Sequence, residues 1–252
     1  MRCDAMKMVI TGAASGMGQR FARRLAEAGG WVVAVDRDEE GLAWARDVEG
    51  LAGRVVPVVA DITQEAEVER AMDLGWQALG SLNGLVNCAG VTRDALTVKY
   101  SRRSERVETM SLEAWNTVLA VNLSAPFLCT RALVARMIQR EVAPGVIVNI
   151  SSTGRRGSPG QANYAATKAG IVADTVVWAQ EFAHYGIRVG AIAPGYVDTP
   201  MIAAMRQDHL AAGLGRVPLR RAADPDEIWL GVRFIIECDY FTGACIDISG
   251  GL

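Results

Sequence analysis

The chain has 252 residues, half of them apolar and 21% charged, with a formal net charge of −2. That length and apolar share suit an α/β domain with a sizeable core, and the near-neutral charge gives no electrostatic footprint for a nucleic-acid partner. No uninterrupted apolar run approaches the roughly 20 residues of a bilayer span. The opening MRCDAMKMVITGAA enters a strand-and-turn pattern at once, leaving no room for a signal peptide, so a cytoplasmic location is expected.

In chain order, β-branched runs predict strands over Met6–Ile10, Trp31–Asp36, Arg54–Ala60, Gly84–Asn87, Val146–Ile150, Ile187–Ala193 and Ala244–Ile248. Between most of them apolar residues recur at helical spacing, as at Phe21, Leu25 and Ala28. Strands apolar on both faces and separated by helices imply a parallel α/β sheet of about seven strands with helices on both faces. Pro57 predicts a bulge or an early end to the third strand. Arg93–Thr109 is polar, charged and aperiodic and reads as a long loop or insertion. Thr199–Val217 carries Met201, Ile202, Met205 and Leu210 at helical spacing and reads as a substrate lid, with a surface helix as the alternative. Asp224-Pro225-Asp226-Glu227 predicts a capped helix start. No repeat or linker divides the chain, so one domain over 1–252 is expected.

The five cysteines, Cys3, Cys88, Cys129, Cys238 and Cys245, are odd in number and scattered, which favours free thiols over a disulfide framework. The two histidines, His184 and His209, lack metal-ligand spacing, so neither a metal site nor a Ser-His-Asp triad is expected.

TGAASGMG, Thr11 to Gly18, follows the first strand and opens a helix. Gly12, Gly16 and Gly18, with Ser15 and Met17 between them, permit a tight turn, and the helix N-terminus behind offers N–H groups to a pyrophosphate. Asp36 ends the second strand, where a carboxylate accepts hydrogen bonds from the adenosine ribose. A 2′-phosphate there would meet like charge, costing about 4 kcal/mol per pair at about 4 Å and an effective ε of ~20. Arg37 offsets part of that penalty, but NAD is expected over NADP.

TGAASGMG at 11–18, ADIT at 60–63, NCAG at 87–90, VNL at 121–123, VNISS at 148–152, YAATK at 164–168, APGYVDTP at 193–200 and TGACIDISGG at 242–251 share an order and spacing. Through them the chain resembles the short-chain dehydrogenase/reductase family over essentially its whole length. The resemblance implies a single-domain Rossmann-type doubly wound sheet. It implies that Asp61 and Ile62 contact adenine, that Asn87, Ala89 and Gly90 lie along the ribose, and that Pro194, Gly195, Val197 and Thr199 hold the nicotinamide amide. Asn122, Tyr164, Lys168 and one serine would form the catalytic set, with Tyr164 and Lys168 also touching cofactor. A homotetramer joined through the helices around Asn122 and Tyr164, or a homodimer, is implied as well. The chain departs from the pattern at Cys88, which replaces an asparagine that braces the sheet, at Gly190, which also commonly is asparagine, and in the longer segment after Gly90.

Hydride exchange with a carbon bearing oxygen needs a proton partner for that oxygen. A free tyrosine, with a pKa near 10, is too weak a base at neutral pH. An ammonium one helical turn on, at roughly 5 Å and an effective ε of ~20, would stabilise phenolate by about 3 kcal/mol, or about two pKa units. Desolvation opposes that effect, and a cationic nicotinamide reinforces it.

A serine would polarise the substrate oxygen. Counting back from Tyr164 selects Ser151, whereas counting forward along VIVNISS selects Ser152, because the loop between appears one residue short. Strand register is harder to shift than loop length, which favours Ser152 and leaves Ser151 as the alternative.

Arg155 and Arg156 follow the serines, and Arg93, Lys99, Arg102, Arg103 and Arg106 lie in the insertion. They are candidate contacts for an anionic substrate; solvated loops are the simpler reading, since Asp94, Glu105 and Glu108 offset the charge. The expected activity is NAD(H)-dependent interconversion of a secondary alcohol and a ketone. The first alternative is an NADPH-dependent 3-oxoacyl-carrier-protein reductase, suggested by PGQANYAATKAG. The second is a catalytically inactive cofactor sensor, against which the intact Asn122, Tyr164 and Lys168 count.

Overall fold

Seven short runs rich in valine and isoleucine form one all-parallel sheet in the computed structural model, which describes residues 1–46, 50–51, 53–102 and 104–252. They are β1 (Lys7–Thr11), β2 (Trp31–Asp36), β3 (Val55–Val59), β4 (Gly84–Asn87), β7 (Gly145–Ile150), β8 (Ile187–Pro194) and β9 (Ala244–Ile248); β5 (Val98–Ser101) and β6 (Arg106–Thr109) lie outside this sheet. The spatial order is β3-β2-β1-β4-β7-β8-β9, so the direction of winding reverses between β1 and β4. Ligands bind at that reversal, beyond the carboxyl ends of the strands.

Alternation along each strand feeds two cores. Met8 and Ile10 of β1 face α1 (Gly16–Glu27) and α8 (Pro225–Glu237), through Phe21, Leu25, Ile228 and Val232. Val9 joins Val33, Leu85 and Ile147 on the other face, against α2 (Glu65–Leu79), α4 (Ala125–Gln139) and α5 (Ala162–Phe182). The α8 start carries a complete capping box between Asp224 and Glu227, and Asp226 receives Arg24 Nε from α1 at 2.8 Å.

Pro57 causes neither bulge nor break, contrary to the sequence expectation. β3 is the sheet edge and pairs in unbroken register, Pro57 opposite Ala34. The N–H of Val32 donates to the Arg54 carbonyl and that of Ala60 to the Asp36 carbonyl, so even-numbered residues face β2 and the missing Pro57 donor would have pointed outward.

The 93–109 segment is not wholly loop. Val98–Ser101 and Arg106–Thr109 pair antiparallel as a hairpin, with Tyr100 opposite Val107 and Lys99 bonded to Glu108 at 2.9 Å. Its apolar positions are exposed, so no buried face advertises it in the sequence. Arg103 lies outside the described residues.

Leu112–Leu119 (α3) runs through a wider π turn, Ala120–Ser124, into α4. The continuous helix Leu112–Gln139 has the length and composition to cross a membrane, but half of its most apolar window is buried inside the fold, as in a core helix. The segment 199–217 contains two short helices, α6 (Pro200–Ala203) and α7 (Gln207–Leu214). All five cysteines are free; Cys3 and Cys129 are buried and the others half-buried.

Candidate active site

The turn after β1 is built on close backbone approach. Gly12 has φ +71°, and a Cβ there would lie 2.8 Å from Ala89 Cα; a Cβ on Gly18 would lie 2.2 Å from the Gly12 carbonyl oxygen. The turn, the ends of β2 and β3 and the segment after β4 form a cleft of about 230 Å3. Gly12, Ser15, Gly16, Met17, Gly18, Asp36, Arg37, Asp61, Ile62, Ala89, Gly90 and Thr199 line it, as do Val35, Ala60, Thr63, Cys88, Val91, Val121, Pro200 and Met201. The second group was missed in the sequence because each is a small or apolar neighbour of a motif residue, with no chemical signature of its own.

Asp36 is fixed at the cleft wall by two backbone donors, Ala14 N–H at 3.0 Å and Asp38 N–H at 3.1 Å. Asp61 instead turns its carboxylate into its own loop, accepting from the Thr63 N–H and hydroxyl at 2.9 and 2.7 Å. The helix N-terminus, the bare glycine turn and the polar wall together fit a nicotinamide dinucleotide cofactor.

Asn87 lies beneath the cleft rather than on its wall. Its amide nitrogen donates to Asn149 Oδ1 at 2.8 Å and Thr130 Oγ1 at 3.2 Å, and Asn149 continues the chain to Thr175 at 2.9 Å. This buried network braces β4, β7 and their helices, with cysteine at position 88. At Gly190 a Cβ would lie 2.7 Å from Phe241 Cε1, so the aromatic ring takes the space of the family's usual side chain. Pro194, Gly195 and Val197 also fall outside the cleft lining; Gly195 is held by its N–H on the Ile248 carbonyl at 3.0 Å.

Asn122, Ser151, Ser152, Tyr164 and Lys168 lie behind the cleft rather than among its lining residues. Asn122, in the π turn, clasps both backbone groups of Val91, accepting its N–H at 2.8 Å and donating to its carbonyl at 2.9 Å. A Cβ on Gly90 would lie 3.5 Å from Asn122 Oδ1 and 3.6 Å from Lys168 Nζ, which puts both side chains directly behind the cleft floor. Lys168 is buried, its Nζ 5.7 Å from the centre of the Tyr164 ring and donating to the Ile150 carbonyl at 2.7 Å.

The two serines have different surroundings. Ser151 is buried and donates its hydroxyl to the Lys168 carbonyl at 2.6 Å. Ser152 is half-buried, accepts the Gly154 N–H at 3.0 Å, and stands beside the Tyr164 phenol. Gly154 separates them closely: a Cβ there would be 3.1 Å from Tyr164 Cε1 and 3.3 Å from Ser152 Oγ.

The electrostatics correct one expectation. Burial pushes the Tyr164 phenol up, Ser152 pulls it down and Asp94 adds to the rise, so lysine proximity does not dominate. Lys168 is itself pushed down to about 8 by burial. Desolvation is the largest cause of both shifts.

The arginines also differ from expectation. Arg155 donates to Asp247 Oδ1 at 2.7 Å and Arg156 to Asp247 Oδ2, so both are tied to β9 instead of standing free for an anion. Lys99 is paired with Glu108, and Arg93 and Arg106 are exposed.

The sequence model of the family described as short chain dehydrogenase matches residues 6–210. The chain belongs to that family. It is 39% identical to the 3-oxoacyl-(acyl-carrier-protein) reductase FabG of Thermotoga maritima over 256 residues, covering 100% of this chain and 99% of the relative. It is 38% identical to an acetoacetyl-CoA reductase of Allochromatium vinosum over 252 residues, with 97% of each covered. A (3R)-3-hydroxyacyl-CoA dehydrogenase of Canis lupus familiaris is 34% identical, with 100% and 98% covered. The crystal structure of a 3-ketoacyl-(acyl-carrier-protein) reductase from Brucella melitensis complexed with NADH superposes with TM-score 0.87 at 30% identity, covering 99% of this chain and 98% of that one. The chain is thus an oxidoreductase acting on a CH–OH or keto group.

Proposed function

We propose that the protein reduces a 3-oxoacyl thioester to the 3-hydroxyacyl thioester with NADH, reversibly. The observation that carries this reading is the grouping of Ser152, Tyr164, Lys168 and Asn122, the last two directly behind Gly90 of the cleft wall. The relatives support the substrate: carrier-protein reductase, CoA reductase and CoA dehydrogenase share a 3-oxo or 3-hydroxy acyl thioester. This moves the reading away from a general alcohol dehydrogenase towards the reductase alternative. The fixed carboxylate of Asp36 supports NAD(H) over NADP(H), and the NADH complex of the Brucella protein is in line with it.

When bound, the nicotinamide supplies or accepts the hydride. Gly12, Gly16 and Gly18 with the α1 N-terminus would hold the pyrophosphate, and Asp36 would accept from the adenosine ribose hydroxyls. Ile62 would pack on adenine, and Ala89 and Gly90 would lie along the cofactor ribose. Thr199, on the cleft lining, would hold the amide, with Pro194, Gly195 and Val197 shaping the chain that leads to it.

The Ser152 hydroxyl donates to the substrate's keto oxygen and aligns it with Tyr164. Tyr164, kept protonated by its burial, gives its phenolic proton to that oxygen as charge develops there. A raised phenol pKa suits an acid that must not ionise before substrate arrives. Lys168 steadies the phenolate that results, Asn122 holds the Val91 backbone in place, and solvent water returns the proton to Tyr164. Ser151 acts on the fold, by fixing the Lys168 backbone. The α6–α7 segment closes over the acyl group, and exposed Phe127, Val176 and Val177 are covered by a second copy in a homotetramer.

Acetoacetyl-CoA assayed with NADH and NADPH in parallel, by loss of reduced-nicotinamide absorbance, tests the proposal. Turnover with preference for NADH is expected. Turnover confined to simple alcohols, or none, would refute it.

A further inference from the structure

Arg155 lies three residues past Ser152, and its guanidinium reaches two acceptors. Nη2 donates to Asp247 Oδ1 at 2.7 Å, while Nη1 approaches the Ser152 carbonyl at 3.4 Å. The same carbonyl accepts the Arg155 backbone N–H at 3.1 Å. Arg156 adds a second bond to the other Asp247 oxygen and donates to the Leu252 carbonyl at 3.0 Å.

Asp247 is placed to transmit position. It pairs with Ala193 of β8 and precedes Ile248, whose carbonyl holds the Gly195 N–H. One carboxylate thus joins the Ser152 turn to β9, the strand paired with β8, which leads into Pro194 and Gly195. The Arg155 and Asp247 side chains are 18% and 28% exposed, so solvent screens this pair less than an open surface bridge.

The turn needs such a tie. Between Ser152 and α5 it contains Gly154, Gly157 and Gly160, the last two at φ +94° and +86°. Glycine-rich backbone loses more freedom on ordering than any other, so without an external anchor the serine would sample many positions. A planar guanidinium serves two acceptors at once, which a lysine ammonium does with less geometric control.

We propose that Arg155 and Asp247 are positioning residues that hold the Ser152 hydroxyl against Tyr164, a role that rests on the proton-transfer assignment above. Neither residue lines the cofactor cleft. They act through the serine alone.

A double-mutant cycle tests this. Acetoacetyl-CoA reduction, NADH binding and thermal stability are measured for wild type, Arg155→Ala, Ser152→Ala and the double variant, and the cycle is repeated with Asp247→Asn. Arg155→Ala is expected to lower kcat about tenfold, within the range that sub-ångström to ångström misplacement produces, with NADH affinity unchanged. In the Ser152→Ala background the same change is expected to cost about twofold or less, since coupled residues do not add. An unchanged kcat, or an equal loss with and without the serine, overturns the clamp. If Arg155→Ala does not fold, Asp247→Asn decides by the same criterion. Absence of wild-type turnover, or indifference to Ser152→Ala, instead overturns the reading beneath it and the clamp's purpose with it.

Discussion

Lys168 Nζ donates to the Ile150 carbonyl at 2.7 Å, anchoring the lysine of the Tyr–Lys pair to the strand end that delivers Ser151 and Ser152. The helix and the serine turn are therefore one mechanical unit. The same burial that fixes the lysine lowers its affinity for a proton.

That has a consequence for stability. Lys168 moves from 10.5 to about 8 on folding, so between those values the unfolded chain binds more protons than the folded one. The penalty is full below about pH 8 and is relieved as pH rises to about 10.5, a change of about 3 kcal/mol. Lys168→Met removes it. In urea denaturation, the advantage of the Met variant over wild type should shrink between about pH 7 and about pH 10; an advantage independent of pH would contradict the assignment.

Asp36→Ala should relax cofactor choice. Loss of the fixed carboxylate removes repulsion from a 2′-phosphate, and the NADH-to-NADPH ratio of kcat/KM should fall by about tenfold or more, a modest share of the repulsion at about 4 Å. Parallel steady-state assays give the ratio directly. The variant should also lose some stability, because the N–H groups of Ala14 and Asp38 lose their acceptors.

Gly18→Ala should damage the nucleotide turn before the chemistry. Its Cβ would press on the Gly12 carbonyl at 2.2 Å, backbone against backbone, with no flexible group to yield. Loss of about 1–3 kcal/mol in stability and at least tenfold weaker NADH binding are expected, read by denaturation and by nucleotide fluorescence.

Gly190→Asn restores the side chain that the family commonly carries, yet should destabilise this protein. Phe241 Cε1 and Ile235 Cγ2 already occupy positions 2.7 and 2.9 Å from where its Cβ would be. A loss of about 1–3 kcal/mol is expected, and adding Phe241→Ala should recover part of it.

The seven sheet strands were legible because both their faces are buried, leaving runs such as WVVAVD and GVIVNI. The hairpin was not: Val98, Tyr100 and Val107 alternate with charged residues for only two repeats, and the apolar side is exposed. The glycine turn, Asp36 and the Tyr164–Lys168 spacing are local and could be read in one dimension. The destination of Arg155 and Arg156 could not, because their partner Asp247 lies about ninety residues along the chain. The serine ambiguity had the same origin: loop length and strand register gave different answers, and only the directions of the two hydroxyls separate them.

The central claim is that Tyr164 gives the proton to a 3-oxoacyl thioester reduced by NADH. Tyr164→Phe keeps the ring and removes only the hydroxyl, so the direct measurement is acetoacetyl-CoA-dependent NADH oxidation by wild type and variant, alongside NADH affinity. A fall in kcat of about 10²-fold or more, with NADH affinity within about twofold of wild type, is the expected result. A variant that turns over at the wild-type rate would contradict the account.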